Sequence, residues 1–238
     1  GDMLWSNVNN WSNGIPNIPS AKVILNDSLI IDKNVEIAQI KLPGGFGSVH
    51  VSSIDNKSLT LNGTGVNAVI QNNGSNVDLR FELDIKIRSN DSIEAIQVNA
   101  GGSSRIIFRK GSSLDSDRLI SITAGGDKYV MINDILSSSG LFGGGVTVMP
   151  GSKLVFGENA SNKDYSTYFT LLGNAELISR IPEEDFFVKS DFYIKSLDRN
   201  NKGLPNVVTV ENGYTMRGSL MVDSVDLILN LNASQHME

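Results

Sequence analysis

Apolar residues recur at every second position through most of this chain, in short runs separated by Asn, Gly, Ser and Pro. Alternation of period two marks a strand with one dry and one wet face, and the interruptions mark turns. Val23-Ile24-Leu25, Leu29-Ile30-Ile31, Val49-His50-Val51, Leu59-Thr60-Leu61 and Ala68-Val69-Ile70 are all of strand length, as is the sequence of positions Val35, Ile37, Ile40 and Leu42. The longest alternation covers residues 77–88. Val77, Leu79, Phe81, Leu83, Ile85 and Ile87 fall on one side of it, and Asp78, Arg80, Glu82, Asp84, Lys86 and Arg88 on the other.

One phrase occurs twice. Ile96-Gln97-Val98-Asn99-Ala100-Gly101-Gly102, followed by Ile106-Ile107-Phe108, returns 24 residues later as Ile120-Ser121-Ile122-Thr123-Ala124-Gly125-Gly126, followed by Val130-Met131-Ile132. Shorter versions join Val146-Thr147-Val148 to Leu154-Val155-Phe156 and Phe169-Thr170-Leu171 to Leu177-Ile178-Ser179. Upstream, Ile70 and Val77 flank Asn72-Asn73-Gly74 in the same manner as Val98 and Ile106 flank the first Gly pair. These five units, at intervals of 23 to 29 residues, read as stacked coils with turns that absorb insertions. The fold expected is all-β: a right-handed parallel β-helix (β-solenoid) with coils of about 24 residues and a Gly pair turning the corner. Val98 should then lie beside Ile122, and Ile106 beside Val130, in parallel strands about 4.8 Å apart. The alternative is an antiparallel β-sandwich or jelly roll. It is favoured by residues 77–88, because about 12 residues exceed the usual strand of about 5 to 6, and a solenoid takes such a run only by bending it round a corner.

The pattern divides the chain into three. Residues 1–20, with Trp5 and Trp11 among turn residues and Pro16 and Pro19, form no long regular element and read as an N-terminal cap covering the open end of a solenoid. Residues 21–182 are the solenoid. In residues 183–238 the register loosens, and these read as terminal coils or a capping β unit. Their apolar run at 225–229 leaves an edge that invites self-association.

Composition agrees with short strands and many turns: 25 Asn, 29 Ser and 23 Gly make up about a third of the 238 residues, and 19% are charged. An apolar share of 40% at periodic positions argues against disorder. The net charge of −6 argues against nucleic acid and anionic membrane as partners, since both need a basic surface. No run approaches the about 20 apolar residues of a membrane span, and no signal peptide is visible, so the chain reads as intracellular, already processed or excised. Gly1-Asp2-Met3 reads as a cloning remnant.

Candidate chemistry is sparse. The chain has no Cys and only two His, His50 and His236, so a thiolate nucleophile is ruled out and a transition-metal site lacks ligands. His50 lies in an alternating run and reads as an outward strand residue. Asp115-Ser116-Asp117 and Asn90-Asp91 supply oxygen ligands for calcium but match no EF-hand loop, and read as turn residues. Glycosidic cleavage needs two carboxyls about 5 to 9.5 Å apart, and lyase chemistry needs a base beside a cation. Asp115, Asp117 and Arg118, with Arg105 and Arg109 a partial coil earlier, are the set that stacking could gather for such work. The Gly-rich phrases lack the strand-loop-helix context and following Lys of a phosphate loop. Sugar stacking on Trp5 or Trp11 rivals their reading as core-packing rings. No catalytic, cofactor-binding or metal residue is nominated, and no cofactor is expected.

The W-x5-W-x2-G-x-P pattern of Trp5, Trp11, Gly14 and Pro16, followed by Val23-x-Leu25 and Leu59-Thr60-Leu61-Asn62-Gly63, resembles the start of secreted bacterial parallel β-helix proteins, including autotransporter-type passengers. The resemblance implies an extracellular or surface scaffold and no particular ligand. The functional expectation is a noncatalytic solenoid for adhesion, glycan contact or structural support, with a polysaccharide or cell-surface partner. The alternatives are a polysaccharide-processing enzyme, lyase or glycosidase, and a phage tail or fibre component.

Overall fold

The computed structural model describes residues 2–44, 47–63, 66–88, 93–99, 102–117, 119–133, 135–138, 145–162, 168–180, 192–197, 204–211, 218–223 and 226–231. Among these residues the only helix is a single 3-10 turn, Val8–Asn10, and every pairing between named strands is parallel. The chain winds as a β-solenoid with three faces. A nine-stranded first face begins at Lys22–Ile24, a nine-stranded second face at Leu29–Ile31 and a six-stranded third face at Val35–Ile37. Up to Ser161–Asn162 each coil passes from first to second to third face, and beyond it the described strands belong to the first and second faces alone, so stacked neighbours come from successive coils. The antiparallel sandwich is therefore excluded.

The long alternation at 77–88 is where the corner matters most. It forms two strands, Val77–Glu82 on the second face and Asp84–Arg88 on the third, hinged at Leu83. A corner of one residue preserves the period of two, so Val77, Leu79, Phe81, Leu83, Ile85 and Ile87 all point inward across the bend and all are buried. Inward columns run up the solenoid in this way. Ile40, Ile70, Ile96, Ile122, Val148 and Leu171 stack on the first face, and Val51, Phe81, Phe108, Ile132 and Phe156 on the second. Phe81 and Phe108 lie nearly parallel, with centroids 5.4 Å apart, and Phe156 meets Phe169 edge to face at 5.6 Å.

Between the two Gly-Gly repeats the expected register holds on the second face and fails on the first. Ile106 pairs with Val130, but Ile122 pairs with Ile96, two residues from the expected Val98. Upstream the slip recurs: Ile96 pairs with Ile70, and Ile106 with Leu79 in place of Val77. Ile70, Ile96, Ile122 and Val148 are each 26 residues apart, longer than the 24-residue coil read from the repeat. The reason is that the two corners differ in length. From Gln97 to Arg105 the first-to-second-face turn is two residues longer than from Thr123 to Tyr129, whose residues are their partners. A slip of two leaves every apolar residue facing inward, so the alternation cannot reveal it. Glycine does serve these corners: Gly102 and Gly126, the second of each pair, adopt φ of 70° and 71°.

At the N-terminal end Trp5 is fully buried within the core cluster. Its indole N–H donates to the Pro16 carbonyl at 2.9 Å, and its backbone N–H to Ile30 at 2.8 Å. Trp11 lies 4.6 Å from it between ring centroids and donates its own indole N–H to the Trp5 carbonyl at 2.8 Å. At the other end the described strands continue the first face through Phe192–Leu197 and Gly218–Asp223, and the second through Asn206–Val210 and Leu227–Leu231. Val208 is buried there, while Leu229, its partner in the last coil, is 40% exposed.

Candidate functional site

Outward side chains in one column stand about 4.8 Å apart, close enough for charges on successive coils to pair. The tightest group is on the second face, where Asp78, Arg105 and Tyr129 share a column. Asp78, only 6% exposed, accepts from Arg105 Nε at 2.6 Å and Nη2 at 2.5 Å, and from Arg80 Nη2 at 2.8 Å. Arg105 completes the knot by donating Nη1 to the Tyr129 hydroxyl at 2.9 Å, with its guanidinium carbon 5.5 Å from the centre of that ring. Burial pushes the Asp78 pKa up, but hydrogen bonds and charge from Arg105 and Arg80 outweigh it and hold the carboxyl below the ordinary range. The same bonds to Asp78 raise the Arg105 pKa against the effect of its burial.

A carboxyl with a depressed folded pKa adds stability above its unfolded pKa of about 3.9 and loses it as pH falls through the folded value. Asp78→Asn should therefore be less stable than wild type by a constant margin above about pH 5, and that margin should shrink below about pH 4. Denaturant midpoints measured from pH 2 to 7 check this. A margin independent of pH would mean that the carboxylate charge contributes nothing.

Four further ion pairs follow the same logic. Arg88 pairs with Asp115, Arg109 with Glu82 at 3.2 Å, Lys153 with Glu176 at 2.9 Å and Arg180 with Glu211 at 2.9 Å. Stacking thus separates the residues that sequence grouped for catalysis. Arg105 projects from the second face with Asp78, whereas Asp115 projects from the third with Arg88. Arg109 lies just past the second-face strand, and Arg118, His236, Asn90 and Asp91 lie outside the described residues. In Asp115-Ser116-Asp117 the central Ser116 points inward and is buried. Among the described residues no three His, Asp or Glu side chains converge in a way that could hold a metal ion. His50 projects outward in register with Arg80.

Among the described residues, concave surface is found at the tryptophan end. Two adjoining hollows of about 290 and 300 Å³ share Trp11, Ile24 and Asn26 as walls. The first opens between Trp11 and the Asn26-Asp27-Ser28 turn, with Met3 at its edge. The second runs between the 12–16 loop and the first-face strand Lys22–Ile24. Ile24 is an outward residue of that strand and is 60% exposed.

Sequence reading missed the buried polar residues at the corners. Asn72, placed in a turn by its neighbours, is fully buried and bonded to three backbone groups, and Asn206 is buried in a similar network. The available signal was parity, since Asn72 is two positions beyond the inward Ile70. No family model, curated protein or solved structure matches this chain.

Proposed function

We propose that this protein is a noncatalytic β-solenoid acting outside the cell or at a cell surface, a scaffold whose polar faces contact glycan or a surface partner. The observation that carries this reading is that the charges stacking brings closest together, Asp78 with Arg105 and Arg80 and Asp115 with Arg88, are committed to one another. Among the described residues Asp78 is the carboxylate with two arginines on it, and both its oxygens accept from arginine, with its pKa lowered. Such a group is a weak proton acceptor, where lyase or glycosidase chemistry needs a base or acid poised near neutral pH. Arg105 in turn spends Nε, Nη1 and Nη2 on Asp78 and Tyr129, so it is a poor clamp for a substrate carboxylate. Asp115 is likewise held by Arg88.

Incubation with a panel of neutral and anionic polysaccharides tests the reading. No new reducing ends and no unsaturated products are expected over buffer. Product release that is abolished by Arg105→Ala or Asp117→Ala would overturn it in favour of a polysaccharide-processing enzyme.

A further inference from the structure

We propose that the paired hollows around Trp11 form a subsite for a neutral, pyranose-based oligosaccharide. This deepens the scaffold reading by giving glycan contact a place. A pyranose ring presents an apolar C–H face together with a rim of hydroxyls, each both donor and acceptor. It is held by a flat aromatic or aliphatic wall with planar amides around it. Both parts are present. Trp11 and the exposed Ile24 supply an apolar wall common to the two hollows. Asn26 borders both and Asn13 the second, and their side-chain amides have no hydrogen-bond partner among the described residues.

Three further observations favour a ligand site over a packing flaw. The Trp11 ring is already fixed by its bond to the Trp5 carbonyl and by contact with the buried Trp5 ring, so ligand binding orders little. Met3, at the edge of the first hollow, holds φ of 58°, a left-handed conformation that bulky residues rarely adopt. Summed over both hollows the rim carries no net charge, with Asp27 on one and Lys22 on the other, so a chain of like-charged uronates or amino sugars across the pair gains no net attraction. The hollows are each at the small end of ligand sites, about 300 Å³, and adjoining, which suits two consecutive sugar units. The edge of Lys22–Ile24 also borders the second hollow, but the 12–16 loop forms the opposite wall and leaves less room for an added strand.

Intrinsic fluorescence titration with maltohexaose, cellohexaose, xylohexaose and tetragalacturonate tests this, with product analysis on the same samples. A saturable change is expected with at least one neutral probe. Its affinity should fall at least tenfold in Trp11→Ala and several-fold in Asn26→Ala, an exposed position where the fold is undisturbed. Circular dichroism checks that both variants are folded. The proposal is overturned if no neutral probe saturates, if tetragalacturonate binds more tightly than all of them, or if both variants bind as wild type does. It also fails if a strand-forming peptide alone binds and shifts the amides of 22–24. Binding with product release would sink the noncatalytic reading and leave the subsite standing; neither binding nor release would sink the subsite and leave the scaffold.

Discussion

Phe81→Ala should lower the stability of this protein by about 3–5 kcal/mol, the range for truncating a fully buried Phe. Phe81 is fully buried in the second-face column, between Val51 below and Phe108 above. Its loss removes burial of a large apolar side chain and the stacked contact with Phe108 at 5.4 Å, the latter adding about 0.5–1.5 kcal/mol. A globular core softens such a loss by collapsing into the gap. Here the backbone on each side is held by parallel ladders, Val77–Glu82 to Gly47–Ser53 and to Arg105–Phe108, which keep the coils near 4.8 Å apart. The cavity stays open, and the cost belongs in the upper half of the range. Because coils contact only their neighbours, the damage should be local. Amide exchange should quicken in those three strands and leave Glu176–Ser179, four coils on from Phe81, close to wild type. A loss below about 1 kcal/mol, or uniform loss of protection, would show that the column is not close-packed or that the solenoid unfolds as one unit.

That local geometry also explains which features the sequence could disclose. Period two assigns each residue to the inside or the outside, and residues 77–88 show how far this goes: all six apolar positions are buried, on two faces, through a corner. Only the length of the run hinted at the corner, because Leu83 carries the alternation through it unbroken. Register was beyond reach for the same reason. Ile122 accepts Ile96 as well as Val98 for a neighbour by every test of polarity, and the two extra residues between Gln97 and Arg105 decide the matter. The candidate site depended on register twice over. Asp78 meets Arg105 because the local interval is 27 residues, whereas a uniform 24-residue coil would set Gly102 beside Asp78 and leave this pair apart. The tryptophan end was legible as a turn-rich segment with two rings. That one ring would be buried and the other would wall a groove follows from the fit of residues 2–16 against Leu29–Ile31, which no periodicity encodes.

Something other than apolar pattern must then fix the register, and Asn72 is placed to do so. It is fully buried at the end of the first-face strand Val69–Asn72. Its Oδ1 accepts from the Gly74 N–H at 2.9 Å, and its Nδ2 donates to the carbonyls of Val77 at 2.8 Å and of Arg105, one coil on, at 2.9 Å. The two bonds to Gly74 and Val77 hold the amide in place within its own coil, and the bond to Arg105 forms in one register only, whereas the apolar columns tolerate a slip of two. Asn72→Ala should therefore cost about 2–4 kcal/mol, since an N–H and two carbonyls lose a partner where water has little access, at about 1–3 kcal/mol for each group left unsatisfied. Asn72→Leu separates polar satisfaction from volume. It refills the space and restores none of the bonds, so it should be no more stable than the Ala variant. Denaturant midpoints give the comparison, and amide exchange at Gly74 and at the Arg105–Phe108 strand locates it. Recovery of wild-type stability by Leu would mean that Asn72 only fills space, and the fixing of register would then fall to the analogous Asn206, which accepts from Ala175 N–H at 2.8 Å and donates to Ser196 Oγ at 2.7 Å.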